Sequence, residues 1–147
     1  RVIRDPNTNL KDNDIKKVVI CSGKVFYNLL EERENRKLDS VKILRLEQIY
    51  PFPYSTLKEI LSDTPNAEFV WCQEEPKNMG AWFFVDRKIE DVLRSFKAKF
   101  SRPSYAGRAE AASPATGSLS RHNKEQADLV NEALETTTKK TTKHAAE

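Results

Sequence analysis

The segment Val18-Val19-Ile20-Cys21 constrains the fold of this chain most strongly, because all four of its residues are apolar. Successive side chains of a β-strand point to opposite faces of the sheet, so a strand of this composition is buried on both faces. Such strands occur mainly in parallel sheets that helices cover on both sides. The run therefore predicts a strand of an α/β protein that is buried on both faces.

The rest of the chain alternates between strand and helix patterns. Further strand patterns occur at residues 41–49, 68–72 and 102–108, and an amphipathic helix follows each strand. The clearest helix has apolar residues at steps of three and four from Trp82 to Phe96. Another carries a capping-box pattern that starts at Thr56, and Ser120 is the predicted cap of the last. This alternation predicts a three-layer α/β/α sandwich with a mainly parallel sheet.

The two ends of the chain lack such patterns. Residues 1–15 are rich in Asp, Asn and Pro, which favour turns, so we expect a lead-in segment without a core element. Residues 135–147 have no periodic apolar face, and we predict that they are disordered. The length suits one domain, which we place at residues 16–134. The chain begins with Arg1 and has no long apolar run, so we interpret it as a soluble piece of a longer polypeptide without a membrane span.

Charge and cysteine content point to an ordinary protein interior and surface. The net charge is +3 and acids are interleaved with bases, which gives no sign of a nucleic-acid partner. A local basic excess between Arg87 and Arg102 is diluted by acidic neighbours and is typical of a solvated helix face. Cys21 and Cys72 each end an apolar run, and we expect free thiols in a reducing compartment.

Polar residues collect where the third strand ends. The run from Gln73 to Trp82, QEEPKNMGAW, places two carboxylates and two amides in a predicted strand-to-helix loop. In open α/β sheets, loops at the carboxyl ends of strands form the functional edge. Glu74 and Glu75 are adjacent and point to different sides, so they do not make an acid–base pair. We expect Gln73 and Asn78 to satisfy backbone groups, one glutamate to pair with an arginine across a domain boundary, and Trp82 to lie in the core or at that boundary.

Ser22-Gly23-Lys24 stands at the first strand-to-helix junction, where backbone amides and a lysine can hold an anion. A P-loop is excluded, because its upstream glycine is missing and Val25 stands where a Ser or Thr would bind magnesium. A plain turn and an anion site for a nucleotide or coenzyme both remain open. There is no nucleophile with its base and no cluster with metal-ligand spacing, and we expect His122 at the surface or an interface. We therefore predict no catalytic residue and no metal site in this chain.

Several ordered blocks between residues 16 and 134 closely resemble the C-terminal domain of the first component of 2-oxoglutarate dehydrogenase, a thiamine-diphosphate-dependent decarboxylase. The blocks are VVICSGKVFYNLL, ILRLEQIYPFP, FVWCQEEPKNMGAW, PSYAGRAEAASPATGS and HNKEQADLVNEAL. The resemblance implies a transketolase C-terminal-like fold, in which the mixed sheet has one antiparallel edge strand.

The same resemblance implies a noncatalytic role. In that family thiamine diphosphate and magnesium sit between two preceding domains, so this chain alone would be inactive. The parent oxidoreductase of the tricarboxylic acid cycle would convert 2-oxoglutarate to a succinyl group and pass it to the lipoyl arm of the dihydrolipoyl succinyltransferase component, in the bacterial cytoplasm or the mitochondrial matrix. This domain would contact the upstream domains and fix the homodimer. Its interface candidates are Gln73, Glu74, Glu75, Asn78 and Trp82.

Some members of that family carry a regulatory nucleotide or acetyl-CoA site in or beside this domain. By that resemblance Ser22 and Lys24 are the main candidates for an anionic contact, with Arg45 and Arg108 as further candidates. Two other hypotheses stay open. One is a freestanding anion- or coenzyme-binding module built on residues 22–24, and the other is a nucleic-acid-binding domain that depends only on the basic residues from Arg87 to Arg102.

Overall fold

The computed structural model describes residues 1–135. Residues 136–147, which belong to the tail for which we predicted disorder, lie outside the described residues. A single 3-10 turn occupies Asp12–Asp14. Among residues 1–135 no helix has the length and apolar character that crossing a bilayer requires. The strands are β1 (Val2–Ile3), β2 (Lys17–Cys21), β3 (Val41–Leu46), β4 (Glu68–Pro76) and β5 (Ser104–Arg108), and the helices are α1 (Val25–Asn35), α2 (Tyr54–Leu61), α3 (Trp82–Ser95) and α4 (Leu119–Leu134).

The five strands form one mixed sheet in the order β1-β3-β2-β4-β5. Strand β2 lies at the centre, pairs in parallel with β3 and β4, and is buried along its whole length. Strand β5 continues the parallel arrangement beside β4, and β1 pairs antiparallel with β3 at the opposite edge. The predicted burial of this strand on both faces, the mostly parallel sheet and the antiparallel edge strand are therefore confirmed.

Helices cover both faces of the sheet. Alternate side chains of β2 divide between two cores, with Val18 and Ile20 in one and Val19 and Cys21 in the other. The first core contains residues of α2 and α3, and the second contains residues of α1 and α4. This division confirms the three-layer sandwich and explains why residues 18–21 of β2 have no polar side chain.

The lead-in segment is more integrated than its turn-rich composition indicated. Its first residues form β1, and Asp5 forms an ion pair with Arg33 of α1, in which both side chains are almost completely buried. The same carboxylate accepts a hydrogen bond of 2.7 Å from the amide of Ile43 in β3. Ile15 packs into the core. Composition did not reveal these roles, because β1 has only two residues and Asp5 depends on a distant arginine.

Several element boundaries differ from the sequence-based predictions, and three of these differences change the role of a named residue or segment. Helix α2 begins at Tyr54, directly after Pro53, and no side chain caps it, so the capping box at Thr56 is wrong. Ser118, not Ser120, caps α4, because Ser118 has the extended backbone of a cap residue and its hydroxyl accepts from the amide of Arg121. Strand β4 reaches Pro76, because its pairing with β5 resumes after an irregularity between Cys72 and Pro76.

The two cysteines are register partners on the adjacent strands β2 and β4, and both are buried, free thiols. Burial raises the pKa of the Cys21 thiol to about 12. It also raises the pKa of Cys72, and the neighbouring Cys21 adds to that shift. The expectation of free thiols is confirmed.

Candidate functional site

The carboxyl ends of β2, β3, β4 and β5 lie at one edge of the sheet, because these four strands run in parallel. Ser22, Glu47, Lys77 and Ala109 follow the four strands directly. Two open cavities lie along this edge, each about 470 Å³ in volume. We call this region the carboxyl edge, and it contains every site residue that the sequence singled out except those on the basic face of α3.

Gln73 organises the carboxyl edge from inside the protein. Its side chain is buried, and its oxygen accepts hydrogen bonds from the indole nitrogen of Trp71 at 2.9 Å and from the amide of Trp82 at 3.0 Å. Its amide nitrogen donates to the carbonyl oxygens of Met79 at 2.8 Å, Pro76 at 3.0 Å and Glu75 at 3.2 Å. One side chain thus fixes the end of β4, the following loop and the start of α3, as expected for an amide that satisfies backbone groups.

Two glycines allow close packing around this amide. Gly80 has a φ of +65°, and a Cβ there would lie 3.2 Å from both polar atoms of Gln73. At Gly107, a Cβ would lie 2.4 Å from the hydroxyl of Tyr105 and 2.8 Å from the carbonyl oxygen of Gln73. Side chains at these positions would therefore push the β4–α3 loop or β5 away from the buried glutamine.

Trp82 is 5% exposed, and its ring lies 5.4 Å from the ring of Tyr105, centroid to centroid. The Tyr105 hydroxyl donates to the carbonyl oxygen of Arg108 at 2.7 Å, so the first turn of α3 is tied to the end of β5. The structure thus places Gln73 and Trp82 inside the domain. Either side chain could contact another domain only if the residues that cover it moved aside.

Asn78 connects the β4–α3 loop to the loop that follows β5. Its amide nitrogen donates to the carbonyl oxygen of Ala111 and its oxygen accepts from the amide of Ala111, both at 3.0 Å. The second loop, residues 109–117, lines one of the 470 Å³ cavities together with Pro76, Arg108, Arg121 and Glu125. Asn78 therefore shapes this cavity from its rim.

Arg108 lies in a polar network between β5 and α4, which sequence reasoning did not find. It forms an ion pair with Glu125 at 3.2 Å and contacts His122 Nδ1 at 3.1 Å. Gln126 accepts a long hydrogen bond of 3.4 Å from Arg108 and donates to Glu74 at 2.9 Å. Contacts with Thr116 and Arg121 lower the pKa of Glu125. The spacing of residues 122, 125 and 126 on one side of α4 is the signal that could have indicated this contact.

Glu75 points away from that network, as the alternation along a strand requires. It is exposed, and among residues 1–135 its carboxylate has no hydrogen-bond or ion-pair partner. It lines the second cavity of about 470 Å³, and the other lining residues are Ser22, Gly23, Ile49, Trp71, Gln73, Gly80, Ala81 and Phe84. This cavity is therefore mainly apolar, with one free carboxylate at its rim.

Ser22 and Lys24 lie at the junction of β2 and α1, where Gly23 has a φ of +79°. Lys24 is exposed and takes the cap position of α1. Arg45 of β3 is the register partner of Cys21, its guanidinium lies 4.9 Å from the centre of the Phe26 ring, and it forms an ion pair of 2.6 Å with Glu47. Ser22, Lys24 and Arg45 thus lie at the same end of the adjacent strands β2 and β3, whereas β4 separates them from Arg108.

The basic face of α3 is partly neutralised by one acid. Glu90 is almost buried and forms ion pairs of 2.8 Å with Arg87, Arg94 and Arg102. These contacts, led by Arg87, lower the pKa of Glu90 to about 2. Arg102 also pairs with Asp86 at 2.7 Å. Arg102, which precedes β5, thus ties the start of that strand to α3, whereas Arg87 and Arg94 pair within the helix.

The donor atoms at the carboxyl edge support binding and packing more readily than catalysis. No group of three or more His, Cys, Asp or Glu side chains within residues 1–135 is arranged to hold a metal ion. The carboxylates of Glu74 and Glu75 lie on opposite faces of β4, and the two thiols are buried in the core. The carboxyl edge therefore offers an apolar cavity, the β4–α3 loop that Gln73 holds in place, and a basic corner, which we define as Lys24 and Arg45.

Comparison with known proteins gives a consistent result. The model of the family described as 2-oxoglutarate dehydrogenase C-terminal matches residues 1–134. The 2-oxoglutarate dehydrogenase E1 components of Brucella anthropi and Brucella ovis are 56% identical over 124 residues, which make up 84% of this chain. Those residues cover 12% of each relative, so the chain spans a small part of their length. Among solved structures, a split-gene transketolase described as an inactive beta4 tetramer gives a TM-score of 0.49 at 13% identity, over 81% of this chain and 38% of that one.

Proposed function

Because this chain belongs to the family of 2-oxoglutarate dehydrogenase C-terminal domains, we propose that it is the noncatalytic domain that organises a thiamine-diphosphate-dependent 2-oxoglutarate dehydrogenase. The parent enzyme would oxidatively decarboxylate 2-oxoglutarate and transfer the succinyl group to a lipoyl group. This domain would hold the upstream domains and the homodimer partner in their working geometry. The dihydrolipoyl succinyltransferase component is the proposed partner of the parent, and the bacterial cytoplasm is its proposed location.

The observation that carries the proposal is the family match over residues 1–134, together with the structure of the carboxyl edge. Gln73 holds the β4–α3 loop from inside, so the loop keeps its shape without a ligand. The outer groups of the edge, Glu75 above all, face away from the domain. A rigid loop with unpaired outer groups is suited to contact another domain.

The family resemblance places thiamine diphosphate and magnesium between the two domains that precede this one. In line with this, no group of three or more His, Cys, Asp or Glu side chains in residues 1–135 is arranged to hold a metal ion. In the parent enzyme we therefore place both cofactors outside this chain. What this domain supplies is position, since it fixes the relative placement of the domains that bind them.

Amide hydrogen exchange tests the proposed interface. Within residues 1–135 the amides of Asn78 and Gly80 donate no hydrogen bond, whereas Lys77 and Met79 donate to backbone carbonyl oxygens. Asn78 and Gly80 should therefore exchange fast in the isolated chain and slowly in the full-length parent. The amides of β3 serve as an internal control and should exchange slowly in both. Equal fast exchange of Asn78 and Gly80 in both proteins would overturn the proposed interface.

A second role, binding of an anionic effector such as a nucleotide or acetyl-CoA, is supported by the basic corner. Lys24 places a cation at the start of α1, where the backbone amides of a helix N-terminus favour anions, and Arg45 lies near the same helix, against Phe26. Calorimetry with acetyl-CoA and AMP tests this role, as Lys24→Ala should weaken binding and the exposed Lys58→Ala should not. Absence of binding heat in the wild-type protein would remove the effector role, and also the alternative of a freestanding coenzyme-binding module.

A further inference from the structure

The second cavity and the aromatic residues around it form an apolar patch that the domain itself leaves uncovered. We define this aromatic patch as Ile49, Phe84 and the cavity floor at Trp71, together with Tyr50, which follows Ile49 in the chain. Tyr50 is 81% exposed and Phe84 is 41% exposed, whereas Trp71 is 1% exposed. Large apolar side chains grouped in this way at a cavity mark a contact surface.

The position of Arg1 indicates what covers this patch. Strand β1 is antiparallel to β3, and Val2 lies opposite Leu46, so the chain reaches the sheet at the carboxyl end of β3. The carbonyl oxygen of Arg1 accepts from the amides of Glu47 at 2.9 Å and Gln48 at 3.2 Å. The nitrogen of Arg1 donates to the side chain of Gln48 at 3.1 Å. A polypeptide that precedes Arg1 would therefore start next to Ile49 and Tyr50.

We propose that the segment immediately before Arg1 in the parent enzyme folds over the aromatic patch and places an apolar side chain in the cavity beside Phe84. This inference rests on the proposed function, under which most of the parent polypeptide lies outside this chain. A tethered segment that begins at the rim of the cavity has a high effective concentration there, and a second copy of the chain lacks this advantage. The tether therefore favours the preceding segment over a separate molecule.

The cavity also defines the chemistry of the covering segment. An apolar side chain would be surrounded by Ile49, Trp71, Ala81 and Phe84. The carboxylate of Glu75 at the rim has no partner within the described residues, so the segment should supply a hydrogen-bond donor or a cation beside its apolar residue. Such a segment would also bury the outer side of Gly80.

Photocrosslinking in the full-length parent tests this proposal. Phe84 is replaced by benzoylphenylalanine, and mass spectrometry identifies the captured peptide. Phe100 is the matched control position, because it is also 41% exposed and also lies beneath a lysine, but it follows α3 near Pro65 at the opposite edge. The probe at Phe84 should capture a peptide of the same chain that lies just before Arg1, and the probe at Phe100 should not.

Capture of a peptide from a second chain, visible as a doubled mass on a denaturing gel, would overturn the proposal in favour of a second copy. Capture of a remote part of the same chain, or no capture, would also overturn it. As a second readout, Phe84→Ser should increase the rate of proteolysis before Arg1 about tenfold, since it removes most of an aromatic contact, and Phe100→Ser should leave the rate unchanged. If the Asn78 and Gly80 amides are protected from hydrogen exchange in the parent but the probe at Phe84 captures no peptide, this inference alone is refuted. If these amides exchange fast in the parent as well, the proposed interface is refuted.

Discussion

Replacement of Gln73 by leucine should destabilise the whole domain, although the two side chains have similar volumes. Gln73 is 2% exposed and its amide makes five hydrogen bonds. Leucine leaves the indole N–H of Trp71 and the amide of Trp82 without an acceptor. It also removes the donor of the Met79 carbonyl oxygen, whereas the Pro76 carbonyl oxygen still accepts from the amide of Met79 at 2.8 Å. The substitution therefore removes one partner from each of several buried pairs.

The size of the effect follows from the number of groups left unpaired. A buried polar group without a partner costs about 1–3 kcal/mol, so the two donors alone cost about 2–6 kcal/mol. Burial of the leucine side chain returns part of this, and we expect a net loss of about 2–4 kcal/mol in the free energy of unfolding. That loss is a large fraction of the roughly 5–15 kcal/mol by which domains are stable.

Gln73→Glu adds a pH dependence that distinguishes the hydrogen-bond network from simple packing. An ionised carboxylate at this site would face three carbonyl oxygens, so its pKa in the folded state should rise above the unfolded value of about 4.3. The acid is then tolerated best below pH ~4, and stability is lost as the pH rises through the folded pKa. Gln73→Glu should therefore be closer to the wild type at pH 4 than at pH 7.

Urea unfolding followed by circular dichroism and tryptophan fluorescence measures both effects. Gln48→Leu is the matched control, because Gln48 is exposed and its side chain accepts from the nitrogen of Arg1 alone among the described residues. The control should lie within about 0.5 kcal/mol of the wild type. The reasoning would be refuted if Gln73→Leu were as stable as the control, or if the loss in Gln73→Glu were independent of pH.

Three further predictions concern other buried charges and thiols. Ion pairs lower the pKa of Glu90 to about 2. The stabilising effect of the Glu90 carboxylate is therefore complete above its ordinary pKa of 4.5 and is lost as the pH falls toward 2. The difference in unfolding free energy between the wild type and Glu90→Gln, measured in urea, should accordingly shrink below pH 4. Cys21 and Cys72 should not react with a thiol reagent at pH 8 unless urea is present, since burial raises both pKa values and that of Cys21 to about 12. Asp5→Ala should reduce the free energy of unfolding by about 3–5 kcal/mol because Arg33 stays buried without its partner, and Arg33→Met in the same chain should restore part of it.

The fold was largely predictable because its main determinants are local in sequence. An apolar run such as Val18 to Cys21 and a stripe such as Trp82 to Phe96 report burial through periodicity alone. Strand β1 escaped prediction because its pairing depends on the end of β3, more than forty residues further along the chain. The antiparallel edge was expected only from the family resemblance, and periodicity gave no sign of where it would lie.

The candidate site was predictable in its location and only partly in its roles. The polar run after the third strand correctly indicated the carboxyl edge, since strand ends and glycines can be read from sequence. The burial of Gln73 could not be read, because it depends on where Trp71, Met79 and Trp82 converge in space. The link from Glu74 through Gln126 to Arg108 joins three elements, and the spacing of polar residues on α4 indicates that a contact exists without identifying its partners.

The burial of Gln73 changes how the QEEPKNMGAW run should be interpreted. Gln73 and Trp82 are buried and build the edge from inside. Glu75 faces outward, and its carboxylate has no hydrogen-bond or ion-pair partner within residues 1–135. Substitution of the inner residues will disturb any interface by unfolding the loop, so a loss of assembly in such variants says little about contact. Only outward substitutions such as Glu75→Gln, which leave the Gln73 bonds in place, can report on what binds the edge. Assembly defects should therefore be assigned to contact only when the stability of the variant equals that of the wild type.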